Sequence, residues 1–367
     1  MVREAVSPHR QENPLVFIGT YNGPGCDGLF AFRLESATGE LAPLGAGPVI
    51  RNPSYLAVHP DGRHLYAVSE LAEPGGRTGG TVSAFEFDAA TGALRLINEQ
   101  LSQGAHPCHL CITSDGRLVL VANYSSGTLG VLPLAAADGS LQPACQTLQH
   151  KGRGPDPVRQ QSAHAHAVAV DPSGRFAIVC DLGLDRVMVY RLDSARGVLQ
   201  PNDPPWMQTR PGAGPRHLVF APDGRAIYIV NELDSTVSVF GFESTTGVMT
   251  AGQILSTLPT EFAGATTCAA IRLHPSGRFL YVSNRGHDSI AVFSRDPASG
   301  VLAPAGHVAV GGRTPRDIAC DPSGRFLLSA NQDSGTVTIF RVDSASGRPE
   351  PTGKSVMLPK PVCVVFA

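Results

Sequence analysis

The stretch HPSGRFLYVSNRGHDSIAVF, residues 274–293, has the pattern of a tight turn followed by two short strands. Residues 321–340 (DPSGRFLLSANQDSGTVTIF) and 221–240 (APDGRAIYIVNELDSTVSVF) are closely similar to it. Six such turns occur, 47 to 58 residues apart, with glycines at Gly62, Gly116, Gly174, Gly224, Gly277 and Gly324. Periods in this range are typical of propellers and solenoids.

Each repeat carries the pattern of four short strands. Around Gly277, an apolar strand (AIRLHP) comes before the turn and a second one (FLYVSNR) follows it. A third strand (SIAVFSR) and a more polar fourth segment complete the unit. The Ser-Gly or Asp-Gly pair supplies the positive-φ position that a tight hairpin needs. Four antiparallel strands per repeat indicate a propeller blade.

The two ends of the chain complement each other. The C-terminal PVCVVFA (361–367) matches a first strand without its turn, and NPLVFIGTYN (13–22) matches a second strand with no first strand ahead of it. Pairing them would make a seventh blade and remove two exposed sheet edges. The sequence therefore predicts an all-β fold, a seven-bladed β-propeller that forms one domain over residues 14–367 after an extension at 1–13.

Composition excludes several classes of function. The 367 residues include 40 Gly and 30 Pro, which suits many short strands joined by turns. A net charge of −2 argues against nucleic acid or an anionic membrane as partner. No segment approaches the roughly 18 apolar residues of a membrane helix, and the start lacks an apolar signal region. We expect a cytoplasmic protein, a monomer or weak homodimer.

The eight cysteines do not form a recognisable metal pattern. Cys108 and Cys111 make a CxxC pair, but no second CxxC or spaced histidine pair completes a zinc site. We therefore predict no metal site at this pair.

Two sets of positions vary where the repeats otherwise agree. A small polar residue ends each second strand and indicates a scaffold role, but the next residue differs widely: Tyr21, Glu70, Tyr124, Leu182, Glu232, Arg285 and Gln332. The opening of the first strand varies too: Ser54, Cys108, His166, Arg216, Ala269, Arg316 and Val362, followed in four blades by Tyr55, His109, His217 and Asp317. Since the start of strand one lies beside the end of strand two in a hairpin, both sets are expected at one mouth of the central channel.

This mouth is predicted to bind an anion. Arg216, Arg285 and Arg316 come from three blades, and like charges in a concave site repel one another unless an anion joins them. Taken singly, a rim arginine would more often be a solvated charge or an inter-blade ion pair. Four long segments are expected to face the same mouth as loops: 71–80, 149–164, 202–214 and 256–267.

HAHAVAVDPSGR, GPRHLVFAPDGRAIYIVNEL and HPSGRFLYVSNRGHDSIAVF resemble the seven-bladed propeller lactonases, the family of bacterial 6-phosphogluconolactonase and fungal 3-carboxy-cis,cis-muconate lactonizing enzyme. The resemblance covers the chain from about residue 14. It implies catalytic roles for His166, Arg216, Glu232 and Arg285, with His164 as the other candidate in the HxH motif, and no cofactor. Substrate contacts are expected from Arg316, His217, His164, Glu70, Tyr124, Gln332 and His109.

Lactone hydrolysis needs an activated water, a stabilised oxyanion and a proton for the leaving alkoxide. Glu232 or His166 can be the base, and arginines suit the oxyanion and an anionic substrate group. The sequence predicts hydrolysis of an anionic sugar-acid lactone, with 6-phosphogluconolactone as the leading substrate. A muconate-type lactonizing cycloisomerase uses similar chemistry and is one alternative. The other is a non-catalytic protein-binding propeller, although the WD dipeptide of such repeats is absent.

Overall fold

The computed structural model describes residues 13–23, 28–72 and 79–367, and its regular elements within these ranges are all strands. The 28 strands form seven four-stranded antiparallel sheets, so the predicted seven-bladed β-propeller is confirmed. The predicted extension at 1–13 lies outside the described residues except for Asn13. None of the described segments is a helix able to cross a membrane.

The strands of each blade are given from the channel outward. Blade 1 contains β28 (Pro361–Phe366), β1 (Leu15–Thr20), β2 (Leu29–Glu35) and β3 (Glu40–Ala46). Blade 2 contains β4 (Leu56–Val58), β5 (His64–Ser69), β6 (Thr81–Phe87) and β7 (Leu94–Leu101). Blade 3 contains β8 (Pro107–Ile112), β9 (Leu118–Asn123), β10 (Thr128–Pro133) and β11 (Gln146–Gln149). Blade 4 contains β12 (Ala165–Val170), β13 (Phe176–Asp181), β14 (Arg186–Asp193) and β15 (Val198–Gln208).

The remaining three blades follow the same order. Blade 5 contains β16 (Pro215–Phe220), β17 (Ala226–Asn231), β18 (Thr236–Glu243) and β19 (Val248–Ser256). Blade 6 contains β20 (Thr267–Leu273), β21 (Phe279–Arg285), β22 (Ser289–Arg295) and β23 (Leu302–Ala309). Blade 7 contains β24 (Pro315–Cys320), β25 (Phe326–Asn331), β26 (Thr336–Val342) and β27 (Pro349–Met357).

The two ends of the chain close the ring in blade 1. β1 pairs antiparallel with β28, with Val16 opposite Phe366 and Ile18 opposite Val364. The amide of Ala367 also donates to the carbonyl of Leu15 at 3.0 Å. This confirms the predicted pairing, which satisfies backbone groups that an open ring would leave as free edges.

Neighbouring blades are joined by apolar clusters and by buried tyrosines. Tyr281 in β21 packs against Leu327 and Phe340 of blade 7, and its hydroxyl donates to the carbonyl of Gly347 at 2.7 Å. Gly347 has φ +71°, and a Cβ there would meet the ring of Phe279, so the turn requires glycine. Tyr66 and Tyr228 make the same contact with the blades that follow theirs. The repeat therefore supplies both the blades and the contacts between them.

The small polar residue at the end of the second strand does belong to the scaffold, but its partners vary. Asn123 and Asn284 donate to backbone carbonyls of Ser102 and Thr257, as a backbone-bonding role predicts. Asn231 instead donates to the hydroxyls of two side chains in β18, at 2.8 and 2.9 Å. All three asparagines are buried, so these bonds satisfy amides that water cannot reach.

One of the predicted loops is partly a strand, and another lies partly outside the described residues. The segment 202–214 was predicted as a loop, and this is wrong for its first half because β15 continues to Gln208. Trp206 lies in this strand opposite Met188, with the guanidinium of Arg186 at 4.3 Å from its ring. An outer edge strand tolerates the prolines of this segment because one side of its backbone needs no partner. Residues 73–78 of the segment 71–80 lie outside the described residues.

Candidate active site

A β-bulge lies near the start of the first strand in several blades. In β16, Pro215 pairs with Asn231 and His217 pairs with Val230, which leaves Arg216 as an extra residue. The corresponding extra residues in blades 3, 4 and 7 are Cys108, His166 and Arg316. A bulge interrupts the ladder and changes the direction of a side chain. The variable residues of the first strands are therefore the ones that the bulges turn toward the channel mouth.

Three of these bulge residues and four of the variable residues of the second strands line one cavity. Its volume is about 260 Å³, and it is lined by Glu70, Cys108, Tyr124, Arg159, His166, Glu232, Thr267, Arg285 and Arg316. A smaller space of about 10 Å³ shares four of these residues and is also lined by Arg216 and His217. Residues from blades 2 to 7 line the cavity, and Val362 of blade 1 lines the smaller space. They meet at one mouth of the channel, as the repeat register predicted.

Glu232 lies at the centre of the charged groups. Arg159 Nη2 donates to its Oε1 at 2.6 Å. Its other oxygen, Oε2, accepts from Arg216 Nε at 2.8 Å and lies 3.0 Å from Arg285 Nη2. His166 Nε2 is 3.9 Å from the same oxygen. Glu232 is only 4% exposed, so these three arginines replace the water that an ionised carboxylate would otherwise need.

The surrounding charges decide the protonation of the site. Burial alone would raise the pKa of Glu232, but Arg285 and Arg216, with smaller help from His166 and Arg159, hold that pKa far below its usual range. Burial and then Arg216 lower the pKa of His166 well below its usual value. Burial and Arg285 lower the pKa of Arg216 to about 10. Near pH 7 the site therefore holds an ionised carboxylate, a neutral imidazole and protonated arginines.

Arg316 has a different set of contacts. Its Nη2 donates to the hydroxyl of Tyr21 at 2.7 Å, and this hydroxyl donates to Glu70 Oε2 at 2.8 Å. Among the residues that the structure describes, Arg316 makes no ion pair with a carboxylate. Tyr21 and Glu70 thus orient a cation at the cavity wall without neutralising it directly. Tyr21 belongs to the variable set expected at this mouth, although the sequence predicted no substrate contact for it.

Three more of the expected substrate contacts lie around this centre: His164, Tyr124 and His217. His166, rather than His164, lies beside Glu232. His164 stacks on Tyr124, with the two ring centres 4.5 Å apart, and the edge of His166 also meets Tyr124. His217 lies beneath, where its Nε2 accepts from Arg216 Nη1 at 3.1 Å. His217 therefore orients an arginine of the site.

Two residues expected to contact substrate lie elsewhere. His109 stacks on Tyr55 and lines a separate space of about 550 Å³ at the opposite mouth of the channel. It follows the bulge residue Cys108, so it faces away from the cavity. Gln332 is also outside the cavity lining, and its amide donates to the carboxylate of Asp333 at 3.0 Å. Register gives the position of a residue along the repeat but not the direction of its side chain, so neither residue lines the cavity as predicted.

Sequence reasoning missed Arg159. It lies in the segment 149–164, which was expected to face this mouth. The carboxylate of Asp156 accepts the backbone N–H groups of Val158 and Arg159, and the buried Gln160 donates to the carbonyl of Leu182 and to Asp185. The length and basic residues of this segment were the available signal. Nothing in the repeat gives its register, because the segment has no counterpart in the other blades.

One group of possible metal ligands lies away from the cavity. His59, Asp61 and His64 in the turn of blade 2 place their ligand atoms within 4.8 Å of one another. Asp61 Oδ2 lies 2.7 Å from His64 Nδ1 and 3.0 Å from His59 Nδ1, so contacts within the turn bring the group together. This turn is at the opposite end of its hairpin from the cavity.

The fold and the site together define a propeller with a buried carboxylate, an imidazole and several arginines at one end of its channel. A family model described as "Lactonase, 7-bladed beta-propeller" matches residues 15–366. The chain belongs to this family, which confirms the predicted enzyme class and argues against a non-catalytic protein-binding propeller.

Named relatives extend over almost the whole chain. The 6-phosphogluconolactonase of Bacillus subtilis is 35% identical over 350 residues, which cover 95% of this chain and 97% of that protein. The solved structure of a periplasmic gluconolactonase from Pseudomonas aeruginosa is 37% identical, with a TM-score of 0.91 and coverage of 97% and 99%. A putative 6-phosphogluconolactonase from Bacteroides fragilis is 33% identical, with a TM-score of 0.90 and coverage of 98% and 99%.

Proposed function

We propose that this protein hydrolyses the lactone of an anionic sugar acid, with 6-phosphogluconolactone as the leading substrate. The observation that carries this proposal is the position of Arg316. It provides a cation without a directly paired carboxylate, in the same cavity as the ionised Glu232 and the neutral His166. A substrate anion at Arg316 would place the rest of a small molecule next to the acid–base pair.

The charge balance of the cavity supports an anionic substrate. Four arginines (Arg159, Arg216, Arg285 and Arg316) accompany three carboxylates at this mouth (Glu70, Glu232 and Asp317), of which Asp317 is already paired with Arg272. The chain as a whole carries a net charge of −2, so the positive charge is local. A concave positive site attracts small anions, and the arginine fork suits phosphate or carboxylate oxygens.

The proposed reaction uses one water and returns every proton. Glu232, assisted by His166, takes a proton from a water while its oxygen attacks the lactone carbonyl carbon. Arg285 donates to the oxygen that becomes negative in the tetrahedral intermediate. When the ring C–O bond breaks, the leaving alkoxide takes the proton back from the acid–base pair. The product is the open hydroxy acid, and the enzyme is regenerated.

The donor set of the cavity supports a mechanism without metal. Glu232 Oε1 and Oε2 are both engaged by arginines at 3.0 Å or less. A divalent cation at the same oxygens would meet these arginines, and like charges in a buried site repel strongly. The proposed chemistry therefore depends on the arginines for the electrostatic work that a metal does in other hydrolases.

One relative is named for a phosphorylated lactone and another for the lactone without phosphate, so the test compares these two lactones as substrates. Rates of the wild-type protein on 6-phosphogluconolactone and on glucono-1,5-lactone should be compared by proton release. We expect kcat/KM to be higher for the anionic lactone by about tenfold or more, since one charge-assisted contact contributes roughly 1.5–3 kcal/mol. Inorganic phosphate should compete with the anionic lactone. Equal rates with no effect of phosphate would contradict the anionic-substrate proposal.

Hydrolysis and ring closure share the same acid–base demands. An assay of a muconate-type acid in the lactonizing direction therefore belongs beside the hydrolysis assay, and activity there alone would favour the cycloisomerase. The cytoplasmic location, the single domain over 14–367 and the monomeric or weakly dimeric state stay predictions. Cell fractionation, limited proteolysis and light scattering would check them.

A further inference from the structure

We propose that Arg159 caps the base Glu232 in the free enzyme, and that the anionic group of the substrate draws Arg159 away and frees Glu232 Oε1 to accept a proton. This inference rests on the proposed function, and it adds a reason for selectivity. An anionic lactone would be favoured through its rate of reaction as well as its binding, because its anionic group frees Glu232 to act as the base.

The two oxygens of Glu232 differ in the structure. Oε2 is shared by Arg216 at 2.8 Å and Arg285 at 3.0 Å, and it lies on the side of His166. Oε1 has Arg159 at 2.6 Å as its hydrogen-bond donor among the described residues. An oxygen that already accepts a short charge-assisted bond is poorly placed to receive a proton from water. Loss of Arg159 alone would uncover Oε1 and leave Glu232 held in place through Oε2.

The three arginines also differ in how firmly they are held. The side chain of Arg216 is 3% exposed and donates to the carbonyl of Ala269 at 2.7 Å as well. Arg285 is 15% exposed and donates to the carbonyl of Cys268 at 2.8 Å. Arg159 is 38% exposed, and besides Glu232 it has the hydroxyl of Tyr124 at 3.4 Å. Arg159 is therefore the arginine whose side chain can leave at the smallest cost.

The backbone near Arg159 is fixed, so the movement concerns the side chain. Asp156 accepts the N–H of Arg159 at 2.9 Å, and the next residue, Gln160, is fully buried with two hydrogen bonds to blade 4. The carbonyl of Gln160 also accepts the N–H of Gly154 at 3.0 Å. A side-chain rotation needs no rearrangement of this segment.

The cavity contains the place to which Arg159 would turn. Arg159 and Arg316 line the same space, and Arg316 lacks a directly paired carboxylate. A phosphate or carboxylate bound at Arg316 can accept a second charge-assisted bond from Arg159. Once one of its cations has left, the carboxylate of Glu232 binds a proton more readily and becomes a stronger base. A neutral lactone offers Arg159 no such partner.

The kinetic test compares R159M with R153M. Arg153 is an exposed residue of the same segment, so R153M removes the same charge without uncapping Glu232. In R159M we expect kcat for neutral glucono-1,5-lactone to rise about threefold or more, because the base is permanently uncapped. The kcat/KM for 6-phosphogluconolactone should fall about tenfold, since the anion loses one contact. R153M should leave both rates near wild type.

The pH profile of R159M shows whether Arg159 caps Glu232 or only supports the structure around it. Glu232 must be ionised to act as base, and Arg285 and Arg216, followed by His166 and Arg159, hold its pKa far below the usual range. R159M should move the acid limb of kcat for the neutral lactone to higher pH. A loss of rate that is equal for both lactones, with an unchanged acid limb, would overturn the proposal.

A second measurement does not need turnover. The pKa of Glu232 can be followed by the ¹³C shift of its labelled carboxyl group, with and without inorganic phosphate. We expect phosphate to raise this pKa more in the wild-type protein than in R159M, where only the direct charge of the anion acts on Glu232. An equal rise in the two proteins would overturn the capping proposal. No effect of phosphate in the wild type would overturn the capping proposal even if lactones are hydrolysed. A clear effect in a protein that hydrolyses neither lactone would contradict the proposed function and support the cap.

Discussion

The two mouths of the channel are built by opposite ends of the same first strands, yet they use charge differently. At the active-site mouth, Glu232 faces three arginines, and Arg316 has no directly paired carboxylate. Arg272, which lines the opposite mouth, pairs at 2.7 Å with Asp317, which is buried between the two mouths and also lines the small space beside Arg216. Asp317 also accepts the backbone N–H groups of Ile318 and Val364. One mouth keeps cations available to a ligand, and the other satisfies its charges internally.

The bulges explain this difference. They lie at the beginning of the first strands, so they direct Arg216 and Arg316 toward the active-site mouth and interrupt the pairing there. Toward the other end, the ladder is regular, and apolar side chains such as Leu218 and Val364 line the space with Tyr55 and His109. A regular ladder suits a scaffold, whereas an interrupted one can present several charged groups to one point.

The largest expected effect is a loss of kcat when the active-site mouth is changed at Glu232. E232Q keeps the shape of the side chain but removes the base, so kcat should fall by about a hundredfold or more with the fold intact. The matched variant N231A changes the adjacent scaffold residue and should mainly lower the free energy of unfolding. Steady-state kinetics and denaturant unfolding of both variants check this. Similar, mild losses of turnover in the two variants would remove Glu232 from its assigned role.

The next effect concerns stability at the opposite mouth. R272M leaves the carboxylate of Asp317 buried without its ion-pair partner, which should lower the free energy of unfolding by about 2 kcal/mol, given that Arg272 is partly exposed. Urea unfolding measures this change, while kcat should stay close to wild type. A large loss of kcat at unchanged stability would show that the two mouths are not separate in function.

A smaller effect tests the proposed contact of Arg316 with the substrate anion. R316M should raise KM for 6-phosphogluconolactone about tenfold, because only the anion loses a charge-assisted contact. The KM for glucono-1,5-lactone should change little, and this neutral substrate is the control. If KM rose equally for both lactones, Arg316 would be shaping the cavity and not binding the anion.

The smallest expected effect is a flat pH profile. His166 is neutral in the active form, and burial with Arg216 lowers its pKa well below the usual value. Protonation would remove activity only as the pH falls through this lowered pKa, so kcat should stay constant as the pH falls through 6.5. Initial rates at saturating substrate between pH 5 and 7.5 check this. An acid limb near pH 6.5 would show that His166 titrates normally.

The architecture and most of the site could be predicted from the sequence by itself. Seven blades, ring closure by the two termini and the shared mouth follow from a repeat in which strands pair with near neighbours in the chain. Such local pairing makes the position of a residue along its strand almost equivalent to its position along the channel. Glu232, Arg216 and Arg285 were therefore predictable as neighbours from three variable positions.

Only the tertiary structure decided in which direction each side chain points and which partner it contacts. The bulges turn His166 toward Glu232, while Gln332 and His109 lie outside the cavity. Arg159 reaches Glu232 from a segment outside the repeat, 73 residues earlier in the chain. A side chain's direction depends on local breaks in the ladder, and its partner depends on what the other blades bring across the channel. The repeat period of the sequence specifies neither the direction of a side chain nor its partner. The folded ring alone therefore determines which three arginines contact Glu232 and that Arg316 lacks a directly paired carboxylate.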